Sequence, residues 1–498
     1  MLRIENLTLT LDNGRKLTDG LNLTLERCDK YAVIGEEGDG KSTLLEYIFD
    51  PKSTPHVRAS GNVVKRGTVG YLAQFISNID AQKTVLEYVG DDFYGAIEYA
   101  DRLRLPVELL YSDRKMSSLS GGERVKVELF KLLADDPDVL LLDEPTNDLD
   151  GDALDALETI ILETQKPVLF VSHDVTLLSR VANGIVHLEQ LKRKTECRTT
   201  VAAMGYADYV EARERGMARQ TQIAQKQRDE YAAKLRRWQH IYDRVDHEQR
   251  TISRSDPGGG RLLKKKMKSV LSQRRRFERE KEDFEEIPDA EDAIITRFPE
   301  SAALPRGKTV IELDVPELFA GDKLLARDIK LNVSGAEKIA IVGANGAGKS
   351  TLIKEIAARL ATRTDIRCTY MPQNYAETLS GDTPLDFLDT IKNVDLTYAR
   401  QLLGNMRFTT AEMTSDISAL SGGQQAKLIF LRAVLDESNV LVLDEPTRNF
   451  SPLSVPAVCA ALGDFNGCII SVSHDRKYLD AVCDAVYELT PRGLMRKR

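Results

Sequence analysis

Short apolar and β-branched runs alternate with longer amphipathic stretches in both halves of the chain. Tyr31-Ala32-Val33-Ile34 and Ile339-Ala340-Ile341-Val342 have the composition of buried strands, whereas the stretch from Gly122 to Leu133 has helical spacing. This alternation predicts a mostly parallel sheet with helices packed on it, which is an α/β fold. The longest apolar runs, such as Val139-Leu140-Leu141-Leu142, are much shorter than the ~18 residues that a membrane-spanning helix needs.

The middle of the chain has a different apolar pattern. Apolar residues recur at steps of three and four on either side of Asp256-Pro257-Gly258-Gly259-Gly260, which we expect to turn the chain near residues 254–260. This pattern predicts an antiparallel α-helical coiled-coil hairpin, although Arg274 and Lys281 bring charge into the apolar seam. We expect Trp238 to lie in the seam rather than to stack on a base. The seam residues are Ala224, Tyr231, Leu235, Trp238, Tyr242 and Val245 before the turn and Leu263, Met267, Val270, Phe277 and Phe284 after it.

The composition is that of a globular protein with room for two domains of ordinary size, since 42% of the 498 residues are hydrophobic and 29% are charged. The chain enters a strand-like alternation at its first residues, so we expect no signal peptide and a cytoplasmic location. Its six cysteines are scattered, without a C-x-x-C pair or a histidine at ligand spacing. Zinc, iron–sulfur and disulfide-framework sites are therefore not expected, and reduced thiols are.

Charge is unevenly distributed along the chain. The net charge is −8, yet residues 211–280 hold 20 Lys/Arg and 10 Asp/Glu, so this stretch carries +10 and the rest carries −18. An acidic body with one basic insert indicates that the insert, rather than the body, meets a polyanion. The balance argues against a protein that coats DNA, and we expect no DNA partner.

Four motifs occur twice in the same order, which indicates a tandem duplication. Counted from the lysine of the first motif, the leucine of the second lies 78 and 71 residues on, and the glutamate of the third lies 103 and 96 residues on. We expect the first domain at residues 1–195, a helical hairpin linker at 196–306 and the second domain at 307–498. The pairs are Gly35-Glu36-Glu37-Gly38-Asp39-Gly40-Lys41-Ser42-Thr43 with Gly343-Ala344-Asn345-Gly346-Ala347-Gly348-Lys349-Ser350-Thr351, Leu119-Ser120-Gly121-Gly122-Glu123 with Leu420-Ser421-Gly422-Gly423-Gln424, Asp143-Glu144-Pro145-Thr146 with Asp444-Glu445-Pro446-Thr447, and Val171-Ser172-His173-Asp174 with Val472-Ser473-His474-Asp475.

The first motif has the form G-x-x-x-x-G-K-[ST] after a strand and before a helix, which is typical of a loop that cradles nucleotide phosphates. Its glycines let backbone N–H groups approach the phosphates, its lysine meets the β- and γ-phosphates, and its hydroxyl binds Mg²⁺. Two copies in register predict two sites for ATP and Mg²⁺. The predicted ligands are Gly35, Gly38, Gly40, Lys41, Ser42 and Thr43 in the first copy and Gly343, Gly346, Gly348, Lys349, Ser350 and Thr351 in the second.

The third and fourth motifs supply acids and a histidine. A carboxylate that closes an apolar strand can hold Mg²⁺, and the glutamate after it can act as the general base that polarises the attacking water. An imidazole after a second apolar strand can contact the γ-phosphate. The predicted residues are Asp143 and Asp444 for the metal, Glu144 and Glu445 as bases, and His173 and His474 at the γ-phosphate.

The Leu-Ser-Gly-Gly-[Glu/Gln] motif, placed between the phosphate loop and the Asp-Glu pair, resembles the signature of ATP-binding-cassette proteins, and the resemblance covers nearly the whole chain. It implies two P-loop cassette domains that hydrolyse ATP, with the signature of one domain closing over ATP held by the other. The glutamines Gln74 and Gln373 match the metal- and water-contacting glutamine of the family. Site one would join Lys41, Ser42, Asp143, Glu144 and His173 to Ser421, Gly422 and Gly423, and site two would join Lys349, Ser350, Asp444, Glu445 and His474 to Ser120, Gly121 and Gly122.

The two sites are predicted to be unequal. The acids Glu36, Glu37 and Asp39 in the first phosphate loop are unusual beside an anion, and we expect them to point outward; weaker nucleotide binding at site one is the alternative. Phe319 is expected to stack on adenine, whereas Leu11 at the equivalent place cannot stack in that way. The second copy also lacks the usual aspartate of the loop that follows the general base, since it reads Arg448-Asn449-Phe450-Ser451-Pro452 where the first reads Asn147-Asp148-Leu149-Asp150.

Tandem cassettes, no membrane segment and a long basic helical hairpin together resemble the ABC-F family. The resemblance implies a monomer that closes its own pair of cassettes, binds the ribosomal E site and extends the hairpin toward the P-site tRNA and the peptidyl-transferase centre. Ribosomal RNA and P-site tRNA are the implied partners. Basic residues crowd the second helix near the turn, which suits phosphate contacts with folded RNA. They are Arg261, Lys264, Lys265, Lys266, Lys268, Arg274, Arg275, Arg276 and Arg279.

Within that family the layout favours one subclass. Gln74 and Leu119 are separated by 44 residues and Gln373 and Leu420 by 46, so the first cassette lacks the extra arm of housekeeping translation factors. This layout is more similar to bacterial members that protect ribosomes from antibiotics. Two alternatives stay open: a housekeeping translation factor, and a tandem ATPase subunit of a membrane importer, which would leave the basic hairpin without a role. A DNA-repair cassette protein is disfavoured by the missing zinc cysteines.

Overall fold

The structure, a computed structural model, describes residues 1–90, 93–191, 196–251, 257–282, 284–285, 298, 300–379, 381, 383–391, 394–406 and 408–498. The chain divides into two compact units, one formed by residues 1–207 and 291–498 and the other by residues 208–290. The first unit therefore contains both halves of the duplication, and the second contains the basic middle of the chain.

The strands of the first half form an antiparallel sheet and a larger mixed sheet. They are β1 (Leu2–Leu11), β2 (Lys16–Leu25), β3 (Lys30–Ile34), β4 (Val57–Lys65), β5 (Val69–Leu72), β6 (Val139–Asp143), β7 (Val168–Val171), β8 (Gly184–Leu191) and β9 (Glu196–Ala202). The antiparallel sheet has the order β2-β1-β4 and the mixed sheet has the order β5-β6-β7-β3-β8-β9. In the mixed sheet β8 and β9 pair antiparallel and the other neighbours pair parallel. Because β9 is the edge strand of this sheet, the first half extends past the expected boundary at residue 195.

Helices follow four strands of the first half, β3, β5, β6 and β7, and several of them begin at polar caps. They are α1 (Lys41–Phe49), α2 (Asn78–Gln82), α3 (Val85–Val89), α4 (Ile97–Arg102), α5 (Val107–Leu110), α6 (Gly121–Ala134), α7 (Gly151–Glu163) and α8 (Val175–Val181). Ser120 starts α6 with a reciprocal capping box to Glu123, and Asp150 and Asp174 cap α7 and α8. The helix after the phosphate loop, α1, begins instead at Gly40 in the left-handed region, with φ of 92°.

The second compact unit contains α10 (Pro257–Glu282) and all but the first two residues of α9 (Tyr206–Thr251). The Trp238 indole is 4% exposed, stacks on Tyr242 with ring centroids 5.1 Å apart, and donates from Nε1 to the Val270 carbonyl at 2.7 Å. Lys234 Nζ donates to the Glu280 carboxylate at 2.8 Å. Trp238 lies further along α9 than Lys234, and its partner Val270 lies earlier on α10 than Glu280. The two helices therefore run antiparallel, and the prediction that Trp238 is a core residue is confirmed.

The turn predicted near residues 254–260 falls partly on residues 252–256, which lie outside the described residues. Residues 257–260 form the first turn of α10. Proline suits the first position of a helix because its fixed φ is helical and its missing N–H has no intrahelical partner there. The three glycines after Pro257 are therefore helical, and a turn near residues 254–256 stays a prediction.

The second half repeats the architecture of the first. Its strands are β10 (Thr309–Ala320), β11 (Lys323–Ser334), β12 (Lys338–Val342), β13 (Cys368–Met371), β14 (Val440–Asp444), β15 (Cys468–Val472), β16 (Ala485–Thr490) and β17 (Gly493–Arg496). The strands β10 and β11 form an antiparallel pair, and the larger sheet has the order β13-β14-β15-β12-β16-β17. In this sheet β16 and β17 pair antiparallel and the other neighbours pair parallel.

The helices of the second half are α11 (Lys349–Ala361), α12 (Pro384–Asp389), α13 (Leu396–Asn405), α14 (Thr410–Met413), α15 (Gly422–Leu435), α16 (Val455–Gly463) and α17 (Arg476–Val482). Short 3-10 helices lie at Pro51–Ser53, Tyr94–Ala96, Met116–Ser118, Glu300–Ala302, Tyr375–Glu377 and Ile417–Ala419. As in α6, the helix α15 begins at a serine, Ser421, in a capping box with Gln424. The signature motif thus starts a helix in both halves.

The core of each half forms between the larger sheet and the helix that follows the phosphate loop. In the first half α1 buries Leu44 in the cluster that contains Leu141 of β6, and in the second half α11 buries Leu352 with Val442 of β14. Burial of one such side chain stabilises the fold by about 1.5–3 kcal/mol. Because each helix begins at the lysine of the loop, this packing also fixes the loop against the carboxyl ends of the strands.

Candidate functional site

In each half the predicted catalytic groups follow neighbouring parallel strands. The phosphate loop follows β3, His173 lies two residues beyond β7, and Asp143 ends β6, in a sheet whose order is β6-β7-β3 at this point. The second half places β14, β15 and β12 in the same relation. Since the carboxyl ends of parallel strands meet at one edge of the sheet, residues more than a hundred positions apart are brought together there.

Both phosphate loops wrap around their lysine. Lys41 Nζ donates to the carbonyls of Gly35 and Glu36, each at 2.9 Å, and Lys349 Nζ donates to the Gly343 and Ala344 carbonyls at 2.7 and 3.0 Å. In both loops the glycine before the lysine has positive φ, 92° for Gly40 and 99° for Gly348. A side chain there would be strained, because residues with a Cβ rarely adopt that region. Burial lowers the pKa of Lys349.

The acids at the strand ends are buried and their pKa values are raised. Burial raises the pKa of Asp143 to about 7, and the same cause raises the pKa of Asp444. Among the described residues no hydrogen-bond partner contacts Asp143 Oδ1, Asp444 Oδ1 or Asp444 Oδ2. Buried carboxylate oxygens without partners suit a divalent cation, and the nearby hydroxyls of Ser42 and Ser350 lower the pKa values of the same two aspartates against the larger effect of burial. These residues therefore fit Mg²⁺.

The described part of the chain contains no group of three or more His, Cys, Asp or Glu side chains that could hold a metal ion. Mg²⁺ is usually bound by one or two carboxylates together with phosphate oxygens of a substrate. The single aspartate at each strand end suits that kind of magnesium site.

The predicted general bases adopt a rare backbone conformation. Glu144 and Glu445 have φ of 51° and 53°, which is uncommon for residues with a side chain and is found at functional sites. Each carboxylate accepts a hydrogen bond from the backbone N–H of the histidine of its own half, at 3.2 Å from His173 and 3.4 Å from His474. Burial raises the pKa of both glutamates to about 7, a value suited to proton transfer at neutral pH.

The signature of the first half and the phosphate loop of the second half line one cavity of about 580 Å³. Its lining includes Ser120, Gly121, Gly122, Gly346, Gly348, Lys349, Ser350, Thr351, Gln373, Asp444, Glu445 and His474. This volume is within the range of small-molecule sites. The Nε2 atom of His474 is buried and contacts no hydrogen-bond partner among the described residues. The residues predicted for site two, which come from both halves, therefore line one cavity.

The glycines of the first signature are required by close packing. A Cβ at Gly121 would lie 2.6 Å from the Asp148 carboxylate, and a Cβ at Gly122 would lie 2.7 Å from the Asp148 carbonyl oxygen. The Asn345 amide, from the phosphate loop of the second half, also donates to the Asp148 carbonyl. The signature, the loop after the general base and the opposite phosphate loop thus contact each other directly.

The two halves also contact each other at residues predicted for site one. Glu37 Oε2 accepts a hydrogen bond at 2.6 Å from the Gly423 N–H of the second signature, and His173 Nδ1 lies 2.6 Å from the Phe450 carbonyl oxygen. A cavity of about 70 Å³ lies at this contact. Asp39 is 2% exposed and accepts from the Glu36 N–H at 2.8 Å. The expectation that the acids of the first loop point outward is therefore wrong for Glu37 and Asp39, because one caps the opposite signature and the other closes its own loop.

Some predicted residues lie elsewhere than expected. Gln74 is exposed and is not among the described residues that line either cavity, whereas Gln373 lines the larger one. The Phe319 side chain is 45% exposed, and the cavity is lined instead by its neighbours Ala320 and Lys323. Thr43 is half-buried in α1, beside the loop. Adenine stacking by Phe319 stays a prediction.

Sequence reasoning did not assign a role to Arg448. Its side chain lines the larger cavity and lies 3.5 Å from the Asp148 carboxylate of the other half. Its positive charge lowers the pKa values of both Glu144 and Glu445 against the effect of burial. The first half has Asn147 at the equivalent position, so comparison of the two repeats could have found this cation.

Comparison with known proteins identifies the family. The ABC transporter family profile matches residues 18–147 and 326–448, which together make up half of the chain. An ATP-binding cassette sub-family F member 3 homolog of Encephalitozoon cuniculi is 30% identical over 95% of this chain and 78% of its own length. The chain belongs to the ABC-F family. It is an ATP hydrolase with two cassette domains of the α/β class.

Other ABC-F relatives cover similar shares of the chain. The ATP-binding protein Uup of Caulobacter vibrioides is 29% identical over 97% of this chain and 76% of its own length, and the ribosome protection protein VmlR of Bacillus subtilis is 26% identical over 95% and 84%. An archaeal ribosome recycling factor, solved with a ribosomal stalk protein, has the same fold, with a TM-score of 0.59 and 18% identity over 97% of this chain and 88% of its own. Among the described residues of the ABC-F chain, no helix is long and apolar enough to cross a membrane.

The raised pKa of Glu445 predicts how ATP hydrolysis depends on pH. A protonated glutamate cannot accept a proton from water, so kcat/KM should fall as the pH drops through about 7, by about tenfold per unit at the lower end. Phosphate release at low ATP concentration measures this profile. Because ATP itself titrates in the same range, Glu445→Gln is the control, and its residual activity should lose the inflection that belongs to the glutamate. A wild-type profile that matches the variant in shape would contradict this role for Glu445.

Proposed function

We propose that this ABC-F ATPase acts on the ribosome, binding near the E site and extending its helix pair, α9 and α10, to the P-site tRNA and the peptidyl-transferase centre. The observation that carries this proposal is the row of cations on α10. Residues Arg261, Lys264, Lys265, Lys266, Lys268, Arg274, Arg275 and Arg276 are all exposed. Clustered exposed cations on a helix suit the phosphates of folded RNA, whose backbone dominates affinity.

The helix pair orders these cations without neutralising most of them. Arg274 lies over the Trp238 ring at 5.1 Å from its centroid and pairs with Glu278, and Arg276 pairs with Glu280. In contrast, Lys264, Lys265, Lys266 and Lys268 have no ion-pair partner within the described part of the chain. Their charge is therefore available to an external polyanion, and these four lysines are the proposed core of the RNA contact.

The proposed role in antibiotic protection is supported by similarity to VmlR, whose name describes a ribosome protection protein. The likeness covers 95% of this chain, so it includes the helix pair as well as the cassettes. A protein that acts on translating ribosomes would work in the cytoplasm, where translation takes place.

The proposed chemistry at site two follows from the placement of its residues. Lys349 and the N–H groups of its loop hold the β- and γ-phosphates, Glu445 accepts the proton of the attacking water, and His474 presents Nε2 to the γ-phosphate. Ser120, Gly121 and Gly122 close on the same phosphate from the other half. Mg²⁺, held by Ser350, Gln373 and Asp444, would neutralise phosphate charge. Closure on ATP and release after hydrolysis would drive the cycle.

Sedimentation of the full chain with purified ribosomes, with and without ATP, tests the proposal. We expect ATP-dependent co-sedimentation that is lost at high salt, because most of the affinity is electrostatic. Co-purification with membranes instead of ribosomes would favour an importer subunit. Antibiotic susceptibility of cells that express the chain separates the subclasses: ribosome binding with unchanged susceptibility would indicate a housekeeping factor.

A further inference from the structure

The two phosphate loops differ at the position that meets the opposite signature. Glu37 in the first loop corresponds to Asn345 in the second, since each lies two residues after the first glycine of its loop and four residues before its lysine. Asn345 lies against Gly122, contacts the Asp148 carbonyl and lies 3.4 Å from Lys349 Nζ. Glu37 lies against the opposite signature in the same way but brings a carboxylate, whose Oε2 atom lies 2.6 Å from the Gly423 nitrogen in the first turn of α15.

The Glu37 contact has the chemistry of an anion at a signature helix. The helix α15 is 14 residues long, and its first turn presents backbone N–H groups that have no intrahelical partner. A Cβ added to Gly422 would lie 3.2 Å from Glu37 Oε2, so the carboxylate lies against both signature glycines. A carboxylate oxygen that accepts from such an N–H is a strong, charge-assisted partner. In this role it resembles the phosphate oxygen that the signature is expected to bind.

We propose that Glu37 is an internal anion that closes site one by occupying the second signature, so that ATP closes the cassettes at site two alone. This proposal rests on the assignment of the two composite ATP sites above and specifies how they divide the work. Site one acts as a fixed contact between the halves. Site two is the regulated one, where nucleotide binding and hydrolysis open and close the interface.

Two further observations distinguish the two sites. His173 Nδ1 of site one lies 2.6 Å from the Phe450 carbonyl oxygen, while His474 Nε2 has no partner among the described residues. Arg448 adds a cation to the lining of the cavity of about 580 Å³ at site two. Charge and the histidine contacts therefore favour ATP at site two.

Counting bound ATP tests this division. The full chain carrying Glu144→Gln and Glu445→Gln, which prevents turnover, is dialysed against radiolabelled ATP and Mg²⁺, and bound nucleotide per chain is measured. We expect one ATP per chain with the native loop. Adding Glu37→Asn, which installs the residue found in the second loop, should admit a second ATP. The matched control is Glu36→Gln, which removes a neighbouring acid that makes no contact with the signature in the described structure, and it should stay at one.

Each outcome decides the question. Two ATP molecules per chain with the native loop, or no second ATP in Glu37→Asn while the protein retains its melting temperature, would overturn the proposal. A native chain that binds no ATP would overturn it as well, and would also remove the assignment of site two. The number of bound ATP molecules is measured without ribosomes, so it would be unchanged if the proposed function on the ribosome were wrong. Glu37→Gln provides a second check: without the charge, ATP should enter site one at least tenfold more tightly than in the native loop.

Discussion

Replacement of both Glu144 and Glu445 by glutamine should lower the rate of ATP hydrolysis by about 10²–10⁴-fold, the usual contribution of a general base. Glutamine has the shape of glutamate but cannot take a proton from the attacking water. Glu144 is buried and Glu445 is half-buried, and each already accepts a hydrogen bond from a histidine backbone N–H, so the substitution should not disturb the fold. The variant should bind ATP, remain closed, and stay on ribosomes.

Two measurements check this result: phosphate release by the purified chain, and co-sedimentation with ribosomes in ATP. We expect retention on ribosomes and inhibition of translation, and the single change Glu445→Gln should account for more of the lost hydrolysis than Glu144→Gln. Glu128→Gln is the matched control, because Glu128 is also buried with a pKa raised to about 7 but lines neither cavity. A double variant that sediments with ribosomes no better than the wild type would contradict the ribosomal assignment.

Neutralising Lys264, Lys265, Lys266 and Lys268 to glutamine should weaken ribosome binding on the order of 10²-fold at physiological salt. Each lysine that contacts a phosphate releases counterions on binding. Loss of all four lysines should therefore reduce the slope of log K for binding against log salt concentration by about 3. ATP hydrolysis without ribosomes should stay within about twofold, because surface changes away from a site have small effects.

The matched control removes four exposed cations from α9 instead: Arg219, Lys226, Arg228 and Arg236. This control variant loses the same amount of charge from the same unit, but its substituted residues lie away from the start of α10. Binding curves at several salt concentrations compare the two variants. If both lose affinity equally, the effect is one of net charge, and the specific contact proposed for the start of α10 is wrong.

Sequence alone could predict the parts of the sites because each part is local. A phosphate loop, an acid after an apolar strand and a signature before a helix are each short motifs, and parallel strands bring such motifs to one edge. The structure indeed places Ser120 and Lys349 around one cavity. The core position of Trp238 followed in the same way from periodicity.

Contacts between distant residues could not be predicted in this way. Glu37 and Gly423 are separated by 386 residues, and no local pattern shows that a carboxylate from one will reach the N–H of the other. Three acids beside an expected phosphate therefore suggested an outward orientation. A Pro-Gly-Gly-Gly run usually breaks a helix, so the sequence did not predict that Pro257 begins α10.

The two halves meet through ion pairs as well as through the sites, since Arg476 of α17 lies 2.6 Å from Asp155 and 3.6 Å from Glu158 of α7. Both partners belong to one covalent chain, so their encounter is intramolecular. For tethered partners the effective concentration reaches the order of millimolar, far above that of two separate subunits in a cell. Assembly of the interface is therefore independent of how many copies of the protein are made, and even a scarce molecule can complete its ATPase cycle.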